Sequence, residues 1–383
     1  REGSDDVPRL GGDSLPQLPC FITLSTARTA DIIRENLDRS PLYSGRIDGI
    51  GTRYCPSFED KVVRFPDHGC HQIYLEPEGV FTEEYYLNGI STSLPPAVQR
   101  AMVHSLPGLE HAHITRYAYA IEYDFVFPHQ LHNSLALKAW PNVFLAGQIN
   151  GTSGYEEAAG QGVLAGINAA RVAEGKTDLC TIGREQGYIG VMIDDLVTKE
   201  IIEPYRLFTS RAEHRLVLRH DNADRRLVPL GYEAGLVSRL EYDRVMQLEV
   251  EIDRVKAHLQ EHRHRGNTLW EWLRRPEISY RELEGVPDAP GRVIEQIEIE
   301  ARYEGYIARQ NAQADGMKRL DKWRIPGTFD YGMIRGLRKE AQVKLSKMQP
   351  STLAQAARID GVTPAEIALL QVHLRRGVEQ GAR

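Results

Sequence analysis

The sequence is poor in cysteine and has no long hydrophobic run. Its four cysteines, Cys20, Cys55, Cys70 and Cys180, are widely spaced among 383 residues and form no C-x-x-C pair. This spacing argues against a disulfide framework and against a structural zinc site, and it suits a reducing compartment, so we expect a cytoplasmic protein. Because no run of about 18 apolar residues occurs, we expect no transmembrane helix.

The start of the sequence lacks both an initiator methionine and the apolar core of a signal peptide. Residues Arg1 to Pro19 are instead rich in glycine, proline and aspartate, a composition typical of a loop. We therefore expect that the chain begins inside a longer protein. A tag or a processing remnant is the alternative.

Charge is unevenly distributed along the chain. The formal net charge is −6, yet the residues from 301 onward carry 15 Lys and Arg against 8 Asp and Glu, which leaves about −13 for the first 300 residues. An acidic body with a basic tail favours an anionic macromolecular partner at one end. The alternative is a solvated helical face.

A strand–turn–helix pattern spans residues 142–172. The apolar run Asn142–Ala146 predicts a buried parallel strand, a glycine-rich turn follows, and Tyr155–Val172 reads as a helix rich in small residues. Thr152 or Ser153 is the predicted N-cap. Backbone N–H groups at such a helix start favour an anionic or electron-rich group, for example the pyrimidine edge of a flavin. A purely structural strand–helix junction is the alternative.

A second pattern, GIGTRYCPSFEDK, occupies residues 49–61. Its glycines allow a ligand to approach the backbone closely, and Arg53, Lys61 and Arg64 can hold phosphates. Cys55 lies between cations in sequence, and nearby positive charge increases the thiolate fraction of a cysteine, which suits a nucleophile that adds to an electron-poor ring carbon. The alternative is a small buried residue beside Pro56.

A third pattern, in residues 203–219, interleaves arginines with aromatic side chains. Such a mixture can grip phosphates and stack on bases. The spacing of the arginines by four or five residues predicts that one helix clusters them. The alternative is a helix in which Glu203, Glu213 and Asp221 form salt bridges with the arginines. The four arginines are Arg206, Arg211, Arg215 and Arg219.

The remainder of the chain reads as helical. Apolar residues from Val245 to Leu259 recur at steps of three and four, which predicts a long helix in a hairpin or a short coiled-coil arm. Thr363, Pro364 and Glu366 have the spacing of an N-cap, a first helical residue and its third residue. Gly361 is placed to end the preceding predicted helix, 352–359.

Several short motifs, in order along nearly the whole chain, resemble those of the glucose-inhibited division protein A family of tRNA wobble-uridine modification enzymes. The motifs are NLDRSPLYSG (36–45), RYCPS (53–57), LEPEG (75–79), NGISTSLP (88–95), YAIEYDF (119–125), AGQINGT (146–152), the 204–216 stretch and YEGYI (303–307). The resemblance implies an α/β FAD/NAD(P)-binding, Rossmann-like portion followed by an all-α C-terminal domain.

The resemblance also implies a division into four parts and a set of cofactors. Residues 1–130 correspond to the rest of an inserted NAD(P)H-binding domain and a return to the FAD domain, 131–180 to the end of the FAD domain, 181–235 to a basic connection, and 236–383 to a helical domain that binds tRNA and a partner. The implied cofactors are FAD and NADH, with methylene-tetrahydrofolate as carbon donor and glycine or ammonia as nitrogen source. The implied partners are tRNA, a GTPase and a second copy of the chain, and no membrane or metal is implied.

Carried over by position, the resemblance assigns roles to residues. Cys55 is similar to one of two functional cysteines, the one that adds to the uridine ring, and Arg206, Arg211, Arg215 and Arg219 lie on an implied tRNA surface. Gln148 is similar to a flavin contact. The implied cofactor-binding residues are Gly51, Thr52, Arg53, Tyr54, Cys55, Pro56, Ser57, Glu59, Asp60, Lys61, Arg64 and Phe65 for NADH, and Gly147, Gln148, Asn150, Gly151, Thr152 and Gly154 for FAD.

The sequence departs from the family pattern in several places. The G-x-G-x-x-G motif for the FAD pyrophosphate and the second functional cysteine are absent, and Thr52 stands where the family usually has proline. The sequence also reads Ser25-Thr26 and Thr29-Ala30 where the family usually has Thr-Asn and Thr-His. A truncated, non-catalytic module that binds tRNA or the GTPase is therefore the alternative function. The related folate- and FAD-dependent tRNA methyltransferases lack a long helical C-terminal domain, so residues 236–383 argue against them.

Overall fold

The computed structural model describes residues 18–47 and 56–381, with side chains described as far as residue 375. The chain divides into two compact units, residues 1–124 and 125–383. Each unit has its own hydrophobic core.

The first unit contains a three-stranded antiparallel sheet and three helices. Strands β1 (Phe21–Leu24), β2 (Gln72–Pro77) and β3 (Tyr85–Asn88) pair in the order β1-β2-β3. Helices α1 (Ala27–Arg34), α2 (Phe58–Arg64) and α3 (Pro96–His104) bury apolar residues in one core with the inward face of the sheet. The core includes Ile33, Phe58, Ile73, Leu94 and Met102.

Helix α1 begins directly after Thr26. The reason is a cap: the Thr26 hydroxyl accepts a hydrogen bond from the Thr29 N–H at 3.2 Å, and the Thr29 hydroxyl accepts one from the Thr26 N–H at 3.1 Å. This reciprocal pairing satisfies N–H groups that a helix start would otherwise leave open.

The second unit opens with three helices, α4 (Tyr155–Ala173), α5 (Tyr188–Thr198) and α6 (Ala223–Glu233). Most of α5 is buried, because its apolar residues pack against Leu131, Leu164 and Tyr205 in one core. Helix α4 confirms the helix predicted for this stretch.

The parallel strand predicted at 142–146 is wrong. These residues run antiparallel to the short segment 135–137: the Leu137 N–H donates to the Val143 carbonyl at 2.9 Å, and the Leu145 N–H donates to the Leu135 carbonyl at 3.1 Å. Leu135 has a φ of 65°, so the backbone turns there and the pairing stops after one bridge. Among the described residues no further strand flanks this run, whereas a buried parallel strand requires neighbours.

The described residues from 239 to 381 form helices joined by loops, with one two-stranded hairpin, β4 (Arg263–His264) and β5 (Asn267–Thr268). The helices are α7 (Arg239–Glu261), α8 (Leu269–Leu273), α9 (Gly291–Asp321), α10 (Lys339–Met348), α11 (Leu353–Arg358) and α12 (Pro364–Gly381). No described helix combines the length and the hydrophobicity needed to span a bilayer.

The long amphipathic helix predicted from the 245–259 pattern is confirmed as α7. Val245, Ile252, Val255 and Leu259 are buried, and the last three share a core with residues of α8 and α9. The predicted start of the last helix is also confirmed, because α12 begins at Pro364 and the Thr363 N–H donates to the Glu366 carboxylate at 2.7 Å. Gly361, with a φ of 91°, separates α12 from α11.

The Glu366 carboxylate makes the stability of the last helices depend on acid pH. The hydrogen bond from Arg338 and the bonds from Thr363 lower the pKa of Glu366 to about 2. Because the folded pKa lies below the unfolded one, this stabilisation is complete above about pH 4.5 and is lost as the pH falls toward 2. Near neutral pH, we expect Glu366→Gln to have a lower urea midpoint than wild type. Between about pH 4.5 and 2, its urea midpoint should fall less than that of wild type. Equal pH profiles for both proteins would contradict the assignment.

Candidate functional site: the turn before helix α4 and the arginine segment

The turn before α4 requires glycine at two positions. Residues 147–150 form a single turn of 3₁₀-helix; Gly147 begins it and Gly151 follows it, with φ values of 81° and 68°. A Cβ on Gly147 would also lie 3.3 Å from the Cβ of Ala158. A side chain at 147 would therefore strain the backbone and push the turn away from α4.

One buried glutamine of α4 fixes this turn from behind. The Oε1 atom of Gln161 accepts hydrogen bonds from the Gly147 N–H at 2.8 Å and from Asn150 Nδ2 at 2.9 Å, and its Nε2 donates to the Thr152 hydroxyl at 3.0 Å. Gln161 and Asn150 are fully buried. The residue types predicted to contact a flavin thus form a rigid hydrogen-bonded scaffold, and Asn150 and Thr152 face the protein.

Replacing Gln161 with leucine is expected to loosen the turn. The Gly147 N–H and the Thr152 hydroxyl would lose their partner in a buried environment, and each unsatisfied group costs about 1–3 kcal/mol. Chemical denaturation should show a loss of stability of at least that size. A stability equal to wild type would show that Gln161 does not hold the turn.

The N-cap residue of helix α4 is a glycine, so no side chain of that residue can cap the helix. Gly154 is the N-cap residue, so the predicted cap by Thr152 or Ser153 is wrong. The physical reason is that the Thr152 hydroxyl already receives the Gln161 amide and is buried. Among the described residues, nothing accepts a hydrogen bond from the backbone N–H groups of 155–157.

The residues at this helix start are partly exposed: Gly154 is buried, whereas Glu156 is exposed. Tyr155 and Ile149 are exposed, and Gln148 is half-buried. The Glu157 carboxylate lies on the inner side, where it accepts from the Leu207 N–H at 3.1 Å and pairs with Arg206 Nε at 3.1 Å. Unused N–H groups at the positive end of a 19-residue helix fit an anionic or electron-rich group, such as the flavin implied by the sequence.

The described part of the second sequence pattern is mainly structural. Ser57 caps α2 by accepting from the Asp60 N–H at 3.1 Å. Glu59 is fully buried and accepts from the Ser93 N–H at 3.1 Å, while the Lys61 ammonium donates to the Gly89 carbonyl at 2.8 Å. Burial and a hydrogen bond to Asp60 raise the pKa of Tyr43 to about 12.

At the end of α2, Arg64 and Phe65 are exposed, while Pro56 is half-buried. The predicted cofactor residues Gly51, Thr52, Arg53 and Tyr54, and the predicted catalytic Cys55, lie outside the described residues.

The helix predicted to cluster four arginines is wrong. Residues 203–219 form turns and one short 3₁₀-helix, Thr209–Arg211. The reason is that the arginines bind different parts of the second unit, which a single helix would not allow. Arg206 pairs with Glu157, and Arg211 lies 3.4 Å from Asp195 and over the Tyr205 ring. Arg219 pairs with Asp221 at 3.1 Å, one of the salt bridges considered for this segment.

Arg215 differs from the other three arginines. It is exposed, and it forms no ion pair within the described residues. The adjacent loop is attached to α9 by one side chain, because Gln310 accepts from the Leu216 N–H and donates to the Glu213 carbonyl, both at 3.2 Å. Arg215 is therefore held at the surface by a fixed backbone.

A buried ionic cluster supports this segment, and the sequence patterns did not reveal it. Asp194 and Asp195 of α5 are both buried; Arg184 pairs with Asp195 at 2.7 Å and Arg358 with Asp194 at 2.6 Å. The Tyr205 hydroxyl donates to Asp195 at 3.1 Å. Burial raises the pKa of Asp194 although Arg358 opposes this. The one indication in the sequence was the adjacent pair Asp194 and Asp195 within an otherwise apolar helix, which indicates buried charges that need partners.

Comparison with known proteins agrees with the fold. An α/β portion followed by an all-α domain is the expected fold class. Three family models match: "Glucose inhibited division protein A" at residues 10–177, and the C-terminal helical domain and helical bundle of "tRNA modifying enzyme MnmG/GidA" at 236–311 and 313–383. The chain belongs to the glucose-inhibited division protein A family.

Relatives and solved structures give the same assignment. The chain is similar to the tRNA uridine 5-carboxymethylaminomethyl modification enzymes MnmG of Pediococcus pentosaceus and Syntrophotalea carbinolica, with 51% and 52% identity over 94% of this chain and over 60% and 62% of those proteins. It is also similar to Aquifex aeolicus GidA in its form II crystal, with a TM-score of 0.78 and 46% identity over 94% of this chain and 59% of that one. The chain thus spans about three-fifths of these proteins.

Proposed function

We propose that this protein takes part in FAD- and NADH-dependent tRNA modification, in which a carboxymethylaminomethyl or aminomethyl group is added at C5 of the wobble uridine. The observation that carries the proposal is the start of α4, in a chain of this family: it follows a glycine turn, and no described residue accepts a hydrogen bond from its first three N–H groups. The relatives are tRNA uridine 5-carboxymethylaminomethyl modification enzymes, and the proposed reaction is the one in their name.

In this proposal the turn and α4 hold the flavin. Gln148 and the amides of residues 155–157 would hold it, while Gln161 keeps Gly147, Asn150 and Thr152 in position. A bound flavin would supply redox chemistry at this place. The segment 51–65 receives NADH; within it, Arg64 and Phe65 are exposed.

Cys55 is the proposed nucleophile toward the uridine ring. A thiolate adds to an electron-poor carbon more readily than an alcohol does, and cations in the same segment favour the thiolate. Methylene-tetrahydrofolate is the proposed carbon donor. We further propose that the protein works in the cytoplasm as a homodimer with a GTPase partner, and that residues 1–130, 131–180, 181–235 and 236–383 are its four parts.

The proposed tRNA contact of the arginine segment is concentrated at Arg215. Arg206, Arg211 and Arg219 are paired with carboxylates, and they act mainly by fixing the segment. The alternative function, a non-catalytic module for tRNA or the GTPase, needs only this surface and no flavin.

Purified full-length protein separates the two functions. We expect the visible absorbance of bound flavin together with tRNA binding that weakens with salt, and Arg215→Gln should lower the salt slope by about one. Arg28→Gln, in which an exposed arginine on α1 is lost, is the matched control and should bind as wild type. Binding of tRNA without flavin would favour the non-catalytic module, and loss of both activities would refute the proposal.

A further inference from the structure

We propose that one exposed face of α9, together with Arg215, binds single-stranded nucleotides of an RNA. The α9 face consists of Tyr303, Tyr306, Arg309 and Gln313. The inference rests on the proposed function insofar as the RNA is tRNA, and it assigns the unpaired part of that RNA to a defined surface.

The four residues lie on one side of the helix because they are three, three and four positions apart. All of them are exposed, and Tyr306 retains 61% of its accessible surface. Two exposed tyrosines one turn apart on a helix give two aromatic rings on the same side. Such rings stack on bases of any sequence when the bases are not paired.

The charge of this face suits a phosphate backbone. The chain carries a net charge of −6, but residues 303–313 contain one acidic residue, Glu304, whose carboxylate accepts a hydrogen bond from Trp270 and pairs with Arg274. Arg309 is exposed and forms no ion pair with any residue that the structure describes. An unpaired arginine beside two aromatic rings can contact a phosphate while the rings hold the adjacent bases.

The arginine segment supplies a second cation next to this face. Gln310 is one turn beyond Tyr306, and its two hydrogen bonds hold the backbone of residues 213 and 216 on α9. Arg215 lies between those two residues and is exposed. The surface therefore combines two cations from different parts of the sequence with two rings, and its backbone geometry is fixed before any ligand binds.

A glycine within α9 points to a ligand that approaches closely. Gly305 lies in the helix interior, where glycine is less favourable than alanine. A Cβ at this position would meet no heavy atom within 4 Å, so packing inside the chain does not require glycine there. Space for a nucleotide at the backbone explains the residue.

The test measures RNA binding by full-length protein. The probes are an unmodified tRNA transcript, a short single-stranded RNA with the anticodon-loop sequence, and the same RNA annealed to its complement. We expect Tyr306→Ala to weaken binding of the single strand about tenfold or more, while Tyr306→Phe, which keeps the ring, binds as wild type. Arg309→Gln should reduce the salt slope by about one. Gly305→Ala should raise thermal stability and weaken binding.

Phe81→Ala, in which another exposed aromatic side chain is lost, is the matched control and should bind as wild type. If Tyr306→Ala bound the single-stranded RNA with wild-type affinity, or if wild-type protein bound single strand and duplex equally, the inference about the α9 face would be wrong. The proposed function would not be affected by either result. Loss of binding to the GTPase partner alone would assign the face to a protein and also overturn the inference. If wild-type protein bound no RNA at all, both proposals would fall.

Discussion

Replacing Asp195 with alanine is expected to lower the free energy of unfolding by about 3–5 kcal/mol, the usual cost of removing one partner from a buried ion pair. The Asp195 side chain is fully buried, and Arg184, Arg211 and Tyr205 all direct polar groups toward it. Without the carboxylate, these groups would remain buried with fewer partners. Urea denaturation of wild type and variant measures the difference.

Asp243→Ala is the matched control for this prediction. Asp243 forms an ion pair with Arg239 at 2.8 Å, close to the 2.7 Å between Arg184 and Asp195, but both of its side chains are exposed. Because water screens exposed pairs, no measurable change in the urea midpoint is expected. If the two variants lost the same stability, burial would not be the source of the effect at Asp195.

Replacing Cys55 with serine is expected to abolish tRNA modification and to leave flavin bound. A serine hydroxyl is almost fully protonated near neutral pH, so it cannot replace a thiolate as the nucleophile. The residues proposed to hold the flavin lie in the turn before α4, which this substitution does not touch. Nucleoside analysis after a fixed reaction time and the visible absorbance of the protein give the two readouts.

The control for Cys55 is Cys70→Ser, which changes an exposed cysteine elsewhere in the first unit. It should modify tRNA as wild type does. Normal modification by Cys55→Ser would remove this residue from the mechanism. Loss of flavin together with activity would indicate a structural role instead.

The features that the sequence predicted well are those set by nearby residues. The apolar stripe of α7 repeats within one helix, and the pairing of Thr363 with Glu366 spans three positions. Such patterns reflect helix geometry directly, so predictions from them do not depend on contacts with distant parts of the chain. The small-residue helix α4 was predicted for the same reason.

The features that were missed depend on contacts between distant positions. Gln161 takes the Thr152 hydroxyl that local reasoning assigned to the helix cap. The arginine segment does not form a helix, because its side chains reach Glu157, Asp195 and Asp221 in different directions. Gln310 is bonded to a residue 94 positions away. No local pattern encodes these pairings, so periodicity predicted a helix instead.

The most direct test of the proposed function is the mass of the wobble nucleoside. Full-length protein is incubated with unmodified tRNA, FAD, NADH, methylene-tetrahydrofolate, glycine or ammonium, and the GTPase partner with GTP. We predict that a new aminomethyl-type group forms at C5 of the wobble uridine. The group should not form in reactions from which flavin or the folate is omitted. An unchanged wobble uridine, or a new group on a different nucleotide, would contradict the proposal.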